Sequence, residues 1–164
     1  MSKPTRSFLP SSNPPSGVRT FFVTSATWER RPLFRSERMA RLFLETLYAY
    51  RDEISFRLHE FSLMPDHFRL LLSVPPGMTL EKLIQLVKGG FSYRARRNLG
   101  FSSEIRQRGF ADQYITNTQE FETRKQYVRS NPVAAKLVVR EEEYPYSSAH
   151  PGFAMDPRPE HLCG

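Results

Sequence analysis

The sequence predicts an α+β fold of the ferredoxin-like type: an antiparallel sheet with helices on one face and a C-terminal helix laid beside it. Two observations support this prediction. The predicted elements follow the order β-α-β-β-α-β-α, and a Pro-Asp turn at 65–66 joins two strand-like runs as in a β-hairpin. Because many functions use this fold, topology alone does not decide what the chain does.

Strands are predicted where β-branched and aromatic residues concentrate between turn signals. The clear signals cover 19–28, 54–63 and 67–74, and weaker ones cover 104–106 and 113–115. The third strand begins with a polar pair. Because side chains alternate across a strand, His67 and Arg69 point to one face and the apolar residues to the other. Turn capping by His67 and a sheet-edge position for Arg69 would explain both residues without any function.

The first two helices are predicted from N-cap residues that precede apolar residues at helical spacing. Ser36 begins the first helix and Thr79 the second, and Gly100 is a stop signal for the second. The pair Gly89-Gly90 interrupts the second helix in this prediction. Two residues without side chains would be explained by another backbone that approaches closely, by a ligand that does so, or by a kinked or broken helix without a ligand.

The third predicted helix begins at Asn117 and ends at Asn131, because Pro132 disfavours helical geometry at the residue before it. At about 100° per residue, Tyr127 lies about 120° from the core-facing Phe121. Tyr127 and Asn131 are one turn apart and therefore share a face away from the core. A Tyr127 that only bonds a backbone carbonyl is the alternative.

One domain with an apolar core is predicted, because the chain has 164 residues of which 39% are hydrophobic. Residues 1–17 hold four Pro and five Ser and are predicted to form a flexible arm, and 153–164 a Pro-containing tail. The single Cys163 excludes a disulfide framework and a Cys-based zinc site. No apolar run approaches the ~20 residues of a membrane span, and no signal peptide is evident, so we expect a cytoplasmic protein without a membrane partner.

The charge favours nucleic acid as a partner. The formal net charge is +7, and 19 of the 24 basic residues are Arg. Arg binds phosphate with two parallel hydrogen bonds and stacks on bases, which favours nucleic acid over a lipid surface. A basic surface that serves only solubility is the alternative that charge leaves open.

Four segments stand in a characteristic order: Leu63–Leu72, Gln107–Phe110, Tyr127–Val133 and Tyr144–Ala149. Together they resemble the REP-associated tyrosine transposases, which are members of the single-tyrosine HUH transposase superfamily. The resemblance covers about residues 18–152 and implies a single transposase-like domain. The substrate that it implies is single-stranded DNA, often folded as a hairpin from extragenic palindromic repeats.

The resemblance also implies roles for individual residues. In these transposases the strand motif is His, a hydrophobic residue, then His, and both imidazoles bind a metal ion. Carried over, Tyr127 is the nucleophile that forms a phosphotyrosine, and His67 and Asn131 are metal ligands. An imidazole and a side-chain carbonyl suit Mg²⁺ or Mn²⁺.

Arg69 departs from this pattern, because it stands where the second metal-binding His is expected. A guanidinium has no lone pair to give, so it cannot ligate a cation and would repel one. Three outcomes follow: weak metal binding through His67, Asn131 and waters, neutralisation of the phosphate charge by Arg69, or DNA binding without cleavage.

Other basic residues are expected to contact the DNA backbone, although each could also be a solvated charge: Lys88, Arg94, Arg96, Arg97, Arg124 and Arg129. The function predicted first is a metal-dependent transposase or endonuclease that acts on single-stranded or hairpin DNA. The alternative is a catalytically inactive DNA-hairpin-binding protein on the same fold, and a third hypothesis is an RNA-binding module. The sequence leaves the oligomeric state open.

Overall fold

The computed structural model describes residues 17–102 and 109–162. The main elements follow the predicted order: β1 (Arg19–Ala26), α1 (Glu37–Ile54), β2 (Arg57–Met64), β3 (His67–Val74), α2 (Leu80–Leu99), β4 (Ala111–Ile115) and α3 (Thr118–Ala134). The predicted strand at 104–106 lies outside the described residues, as does nearly all of the predicted arm. None of the described helices combines the length and apolar character needed to cross a membrane.

The four strands form one antiparallel sheet in the order β2-β3-β1-β4. The long central pair runs from Arg19 opposite Val74 to Ala26 opposite His67. A turn at 65–66 brings Met64 opposite His67, so the predicted hairpin is confirmed. The strand order and the alternation of helices are those of a ferredoxin-like α+β fold, and the fold class is confirmed.

The two faces of the sheet bury different helices. Phe21, Val23 and Leu70 point toward α1 and α2 and form the larger core with them. Phe22 and Leu71 point the other way, into a smaller core that includes residues of α3. The last helix therefore covers the second face of the sheet, and the alternation of β3 places His67 and Arg69 on that same face.

The predicted interruption of α2 is wrong, because the helix is continuous from Leu80 to Leu99. A Cβ atom on Gly90 would lie 2.6 Å from the Cε2 and Oη atoms of Tyr50 on α1. The missing side chain thus makes room for a tyrosine ring of the neighbouring helix. Neither a kink nor a ligand is needed to explain the glycine.

The predicted end of α3 at Asn131 is also wrong, because the helix runs through Pro132 to Ala134. Pro132 is buried, and the helix resumes its hydrogen bonding after it, with the Ala135 amide donating to the Asn131 carbonyl at 2.9 Å. A proline removes one backbone donor from a helix. Here the chain accommodates that loss in the last turn, where few hydrogen bonds remain to be made.

Residues 153–162 pack back onto the domain. The Asp156 carboxylate accepts hydrogen bonds from Arg51 Nε and Nη2, at 2.9 and 2.8 Å, and from the Leu58 amide at 2.8 Å. Phe153 packs edge to face on Phe61, and Leu162 is buried in the smaller core. The described part of the predicted tail is therefore attached to the sheet.

Candidate functional site

The candidate site lies where the N-terminal end of β3 meets α3. The Asn117 side chain caps α3 by accepting from the Glu120 amide at 2.8 Å, as predicted from the sequence. The helix then crosses the sheet face that carries His67 and Arg69. Arg69 Nη1 donates to Asn131 Oδ1 at 2.7 Å, which joins β3 directly to α3.

The Arg69 guanidinium lies between the two predicted metal ligands. Its Nη1 atom, bonded to Asn131, is also 2.5 Å from His67 Nε2. Because a guanidinium only donates hydrogen bonds, His67 Nε2 must be the acceptor and the imidazole must be neutral. Nδ1 then carries the proton and donates to Asp66 Oδ1 at 2.7 Å.

The electrostatics agree with a neutral His67. Burial lowers the pKa of His67, the hydrogen bond to Asp66 opposes this shift, and the positive charge of Arg69 adds to it. Burial also lowers the pKa of Arg69. Tyr127 raises this pKa, whereas the nearby positive charges of Arg30 and Arg124 lower it further. Arg69 still remains charged near neutral pH, because a guanidinium loses its proton only in strongly alkaline solution.

Tyr127 lies beside this group of residues. Its ring centroid is 5.0 Å from Arg69 Cζ and 5.6 Å from Arg124 Cζ, so two cations face the ring. On its inner side the ring packs on Phe22 at 5.9 Å between centroids. Tyr127 is half-buried, and Arg124 is held in place by donating from Nε to Gln113 Oε1 on β4 at 2.7 Å.

Two residues of the site were not predicted from the sequence. Asp66 was interpreted only as a turn residue, yet it hydrogen-bonds His67 and lies 3.6 Å from Arg30 Nε. Arg30 brings a third guanidinium toward Arg69. A carboxylate directly before a site histidine is a signal that could have identified Asp66, whereas nothing in the local sequence points to Arg30. With three guanidiniums and one carboxylate, this end of the sheet is positively charged.

The donor set does not fit a divalent ion in this arrangement. His67 Nε2 and Asn131 Oδ1 both accept from Arg69, whose positive charge lies where an ion shared by these two ligands would lie. In the ranges 17–102 and 109–162, no group of three His, Cys, Asp or Glu residues could hold a metal. The metal prediction is therefore not supported by the ligands that these residues offer.

The other basic residues predicted to bind DNA are spread over the molecule. Arg124 adjoins Tyr127, whereas Arg129 pairs with Glu60 at 3.3 Å and with Glu141 at 3.5 Å, so its charge is largely compensated. The remaining four residues belong to α2, on the opposite face of the sheet: Lys88, Arg94, Arg96 and Arg97. Tyr127 and the four cations of α2 therefore do not form one continuous surface.

Contacts of two α2 cations are defined. Lys88 Nζ donates to the Gly109 carbonyl at 2.6 Å, and Arg94 Cζ lies 5.9 Å from the ring centroid of Tyr50. Arg96 and Arg97 are exposed at the end of the helix. Their DNA contacts stay predictions.

Solved structures share this architecture. One is a REP-associated tyrosine transposase bound to a REP hairpin, which is 18% identical in sequence. The alignment covers 94% of the present chain and 93% of the transposase chain, with a TM-score of 0.67. A provisionally assigned transposase from Deinococcus radiodurans R1 is 15% identical, with coverage of 73% and 95% and a TM-score of 0.53. The chain therefore has the transposase fold.

The family follows from the sequence match. Residues 20–131 match the family model described as "Transposase IS200 like". Because these residues make up more than half of the 164, the chain belongs to the IS200-like transposase family. No curated protein matches the chain.

Proposed function

We propose that this protein binds single-stranded or hairpin DNA and cleaves it through Tyr127 as a step of DNA transposition. The observation that carries the proposal is the position of Tyr127 between the guanidiniums of Arg69 and Arg124, at 5.0 and 5.6 Å from its ring centroid. The family supports a transposition role, and the structural neighbour bound to a REP hairpin supports a DNA partner.

The proposed reaction is a transesterification. The Tyr127 oxygen attacks a DNA phosphorus as its phenolic proton passes to water, one bridging P–O bond breaks, and the departing DNA oxygen takes up a proton from water. The DNA stays attached to the protein as a phosphotyrosine until a DNA hydroxyl attacks the phosphorus and releases the tyrosine. The guanidiniums of Arg69 and Arg124 stabilise the negative charge that develops on the non-bridging oxygens.

The first prediction concerns the covalent adduct. Wild-type protein incubated with an end-labelled hairpin carrying single-stranded flanks should give an adduct that migrates with the protein on denaturing gels. Tyr127→Phe should reduce this adduct at least 100-fold, because the attacking oxygen is gone. Tyr93→Phe is the matched control, since Tyr93 is 62% exposed on α2, and it should leave the adduct unchanged. An adduct that persists in Tyr127→Phe would contradict the assignment.

A non-catalytic DNA-hairpin-binding protein is the second candidate function. The observation in its favour is that both His67 and Asn131 are hydrogen-bonded to Arg69 instead of being open to a metal ion. Hairpin binding without an adduct at any Mg²⁺ or Mn²⁺ concentration would support it. Preference for RNA over DNA of the same sequence would instead support an RNA-binding module.

A further inference from the structure

We propose that the Arg69 guanidinium is the built-in cation of this centre: it binds a DNA phosphate itself and makes the site independent of a divalent metal ion. The inference rests on the proposed function for the identity of its ligand, a phosphate of single-stranded or hairpin DNA. It goes beyond that function by placing Arg69 in the position of the divalent ion, which hairpin binding at this site then does not require.

The first argument is the hydrogen bonding of Arg69. Nη1 carries two hydrogens, and its two acceptors are His67 Nε2 at 2.5 Å and Asn131 Oδ1 at 2.7 Å. A guanidinium has five N–H donors in a rigid fork. The three on Nη2 and Nε have no side-chain partner among the described residues, so two of them can meet two oxygens of one phosphate.

The second argument is the charge of Arg69. Arg69 is half-buried, and within the described ranges it forms no ion pair with a carboxylate, since its two acceptors are neutral groups. Asp66 acts on the Arg69 charge only across His67, and its effect on the pKa of Arg69 is smaller than that of burial. A partly buried charge without a directly bonded counter-charge is costly, and a phosphate would supply one. Arg30 and Arg124 place further positive charge close to Arg69. Their charges lower its pKa, although less than burial does, and they would also attract an anionic ligand such as a phosphate.

The third argument is the way in which Arg69 is held. Asp66 fixes the proton of His67 on Nδ1, which leaves Nε2 as an acceptor that faces Arg69. Asn131 holds the same nitrogen from α3. The guanidinium is thus oriented before the ligand arrives, and a rigid charge placed in advance loses little entropy on binding. A metal ion shared by His67 and Asn131 would have to displace this cation from both ligands.

The experiment measures hairpin affinity and metal binding separately from cleavage. Wild-type protein should bind the labelled hairpin with the same dissociation constant in EDTA and in 1 mM Mn²⁺, within about twofold, and Mn²⁺ titrated alone should show no binding by calorimetry. Arg69→Gln should weaken hairpin binding at least tenfold, because the charge is lost while a polar side chain remains. Arg41→Gln is the matched control on α1, 68% exposed, and it should bind as wild type does.

Arg69→His provides the second variant. It places two imidazoles on one face of β3, so it should bind Mn²⁺ measurably and make hairpin binding stronger with Mn²⁺ than with EDTA. Circular dichroism checks that each variant is folded. The inference is overturned if wild-type protein binds Mn²⁺ at this site, if EDTA weakens wild-type hairpin binding tenfold, or if Arg69→Gln binds the hairpin as wild type does. A missing adduct would count against cleavage by Tyr127 but would leave these binding measurements to decide the role of Arg69.

Discussion

His59 is a buried histidine, and its environment differs from that of His67. Its side chain is 2% exposed, with Nε2 2.7 Å from Ser73 Oγ and Nδ1 3.0 Å from the Asp156 carbonyl. Burial lowers the pKa of His59 to about 4, against smaller opposing effects of Asp156. His59 therefore links the sheet to residues 153–162 as a neutral group and takes no part in the candidate site.

The shift of His59 predicts a pH dependence of stability. Because its pKa is lower in the folded chain than the ordinary 6.5, its contribution is fully present above about pH 6.5 and is lost as the pH falls toward about 4. The loss from this residue should be roughly 3 kcal/mol in the free energy of unfolding. Urea denaturation at a series of pH values measures it. His59→Gln should show a shallower decline over the same window, and an equal decline in both proteins would contradict the prediction.

At the site itself, the residue at position 69 decides which interactions are possible. An imidazole at position 69 could give a lone pair to a metal ion, whereas the guanidinium of Arg69 can only donate hydrogen bonds. At this position of β3 the Arg69 guanidinium therefore donates hydrogen bonds to His67 and Asn131. The identity of this residue was evident from the sequence, and its contacts were not.

At the scale of elements, the contact between α1 and α2 depends on a residue without a side chain. A Cβ atom on Gly90 would lie 2.6 Å from the ring of Tyr50, and that ring also lies 5.9 Å from Arg94 Cζ. Replacing a helical Gly by Ala ordinarily stabilises by about 1 kcal/mol. Here the tyrosine ring must move to admit the methyl group, so two effects of opposite sign compete.

A double-mutant cycle separates these two effects. Gly90→Ala in the Tyr50→Ala background should raise the free energy of unfolding by about 1 kcal/mol, because the space is then open. The same change with Tyr50 present should gain less or destabilise, which gives a coupling energy of about 1 kcal/mol or more. Chemical denaturation measures all four proteins. Equal effects in the two backgrounds would show that Tyr50 does not restrict position 90.

The helix α3 connects the smaller core to the site. Phe121 and Val128 are buried against the sheet, while Tyr127 and Asn131 face the end of β3. Helical periodicity was sufficient to predict that Tyr127 and Asn131 share a face. It could not show that this face covers β3, because the direction in which a helix crosses a sheet is set by packing between distant residues.

At the scale of the whole molecule, residues 153–162 close one side of the sheet. The main attachment is the Asp156 carboxylate, which pairs with Arg51 and accepts from the Leu58 amide. Burial disfavours ionisation of Asp156, but the hydrogen bonds from Arg51 and Leu58 outweigh it and hold the pKa below its usual range. The stability that this group contributes is therefore present above about pH 3.9 and is lost as the pH falls through the folded-state value.

Removing this attachment should be costly for the whole domain. Asp156→Ala should lower the free energy of unfolding at pH 7 by about 2 to 3 kcal/mol, because it leaves Arg51 and the Leu58 amide without their acceptor. Asp156→Asn should cost less, since an oxygen acceptor remains. Glu37→Ala is the control: it removes an exposed ion pair with Arg41 within α1, away from residues 153–162, and should cost less than about 1 kcal/mol. Equal losses for Asp156→Ala and Glu37→Ala would contradict the structural role of Asp156.

Local patterns predicted the order of the elements, the β2-β3 hairpin and the N-caps of the helices, because these depend on neighbours within a few residues. The fold class was then inferred from the order of the elements. The predictions that α2 is interrupted and that α3 ends at Asn131 were wrong, because both points depend on residues from other parts of the fold. The space beside Gly90 is filled by Tyr50, from another helix, and Pro132 is buried within the fold. Propensity at these positions is overridden by tertiary contacts.

The sequence by itself determined which chemical groups the site can contain and that they lie in pairs, His67 with Arg69 on a strand and Tyr127 with Asn131 on a helix. Only the tertiary structure decided how these pairs meet, with α3 across the second face of the sheet and Arg69 hydrogen-bonded to Asn131, 62 residues further along the chain. The reason is physical. Backbone periodicity sets the direction of side chains within one element, whereas the position of a charge between two elements depends on how their buried faces pack.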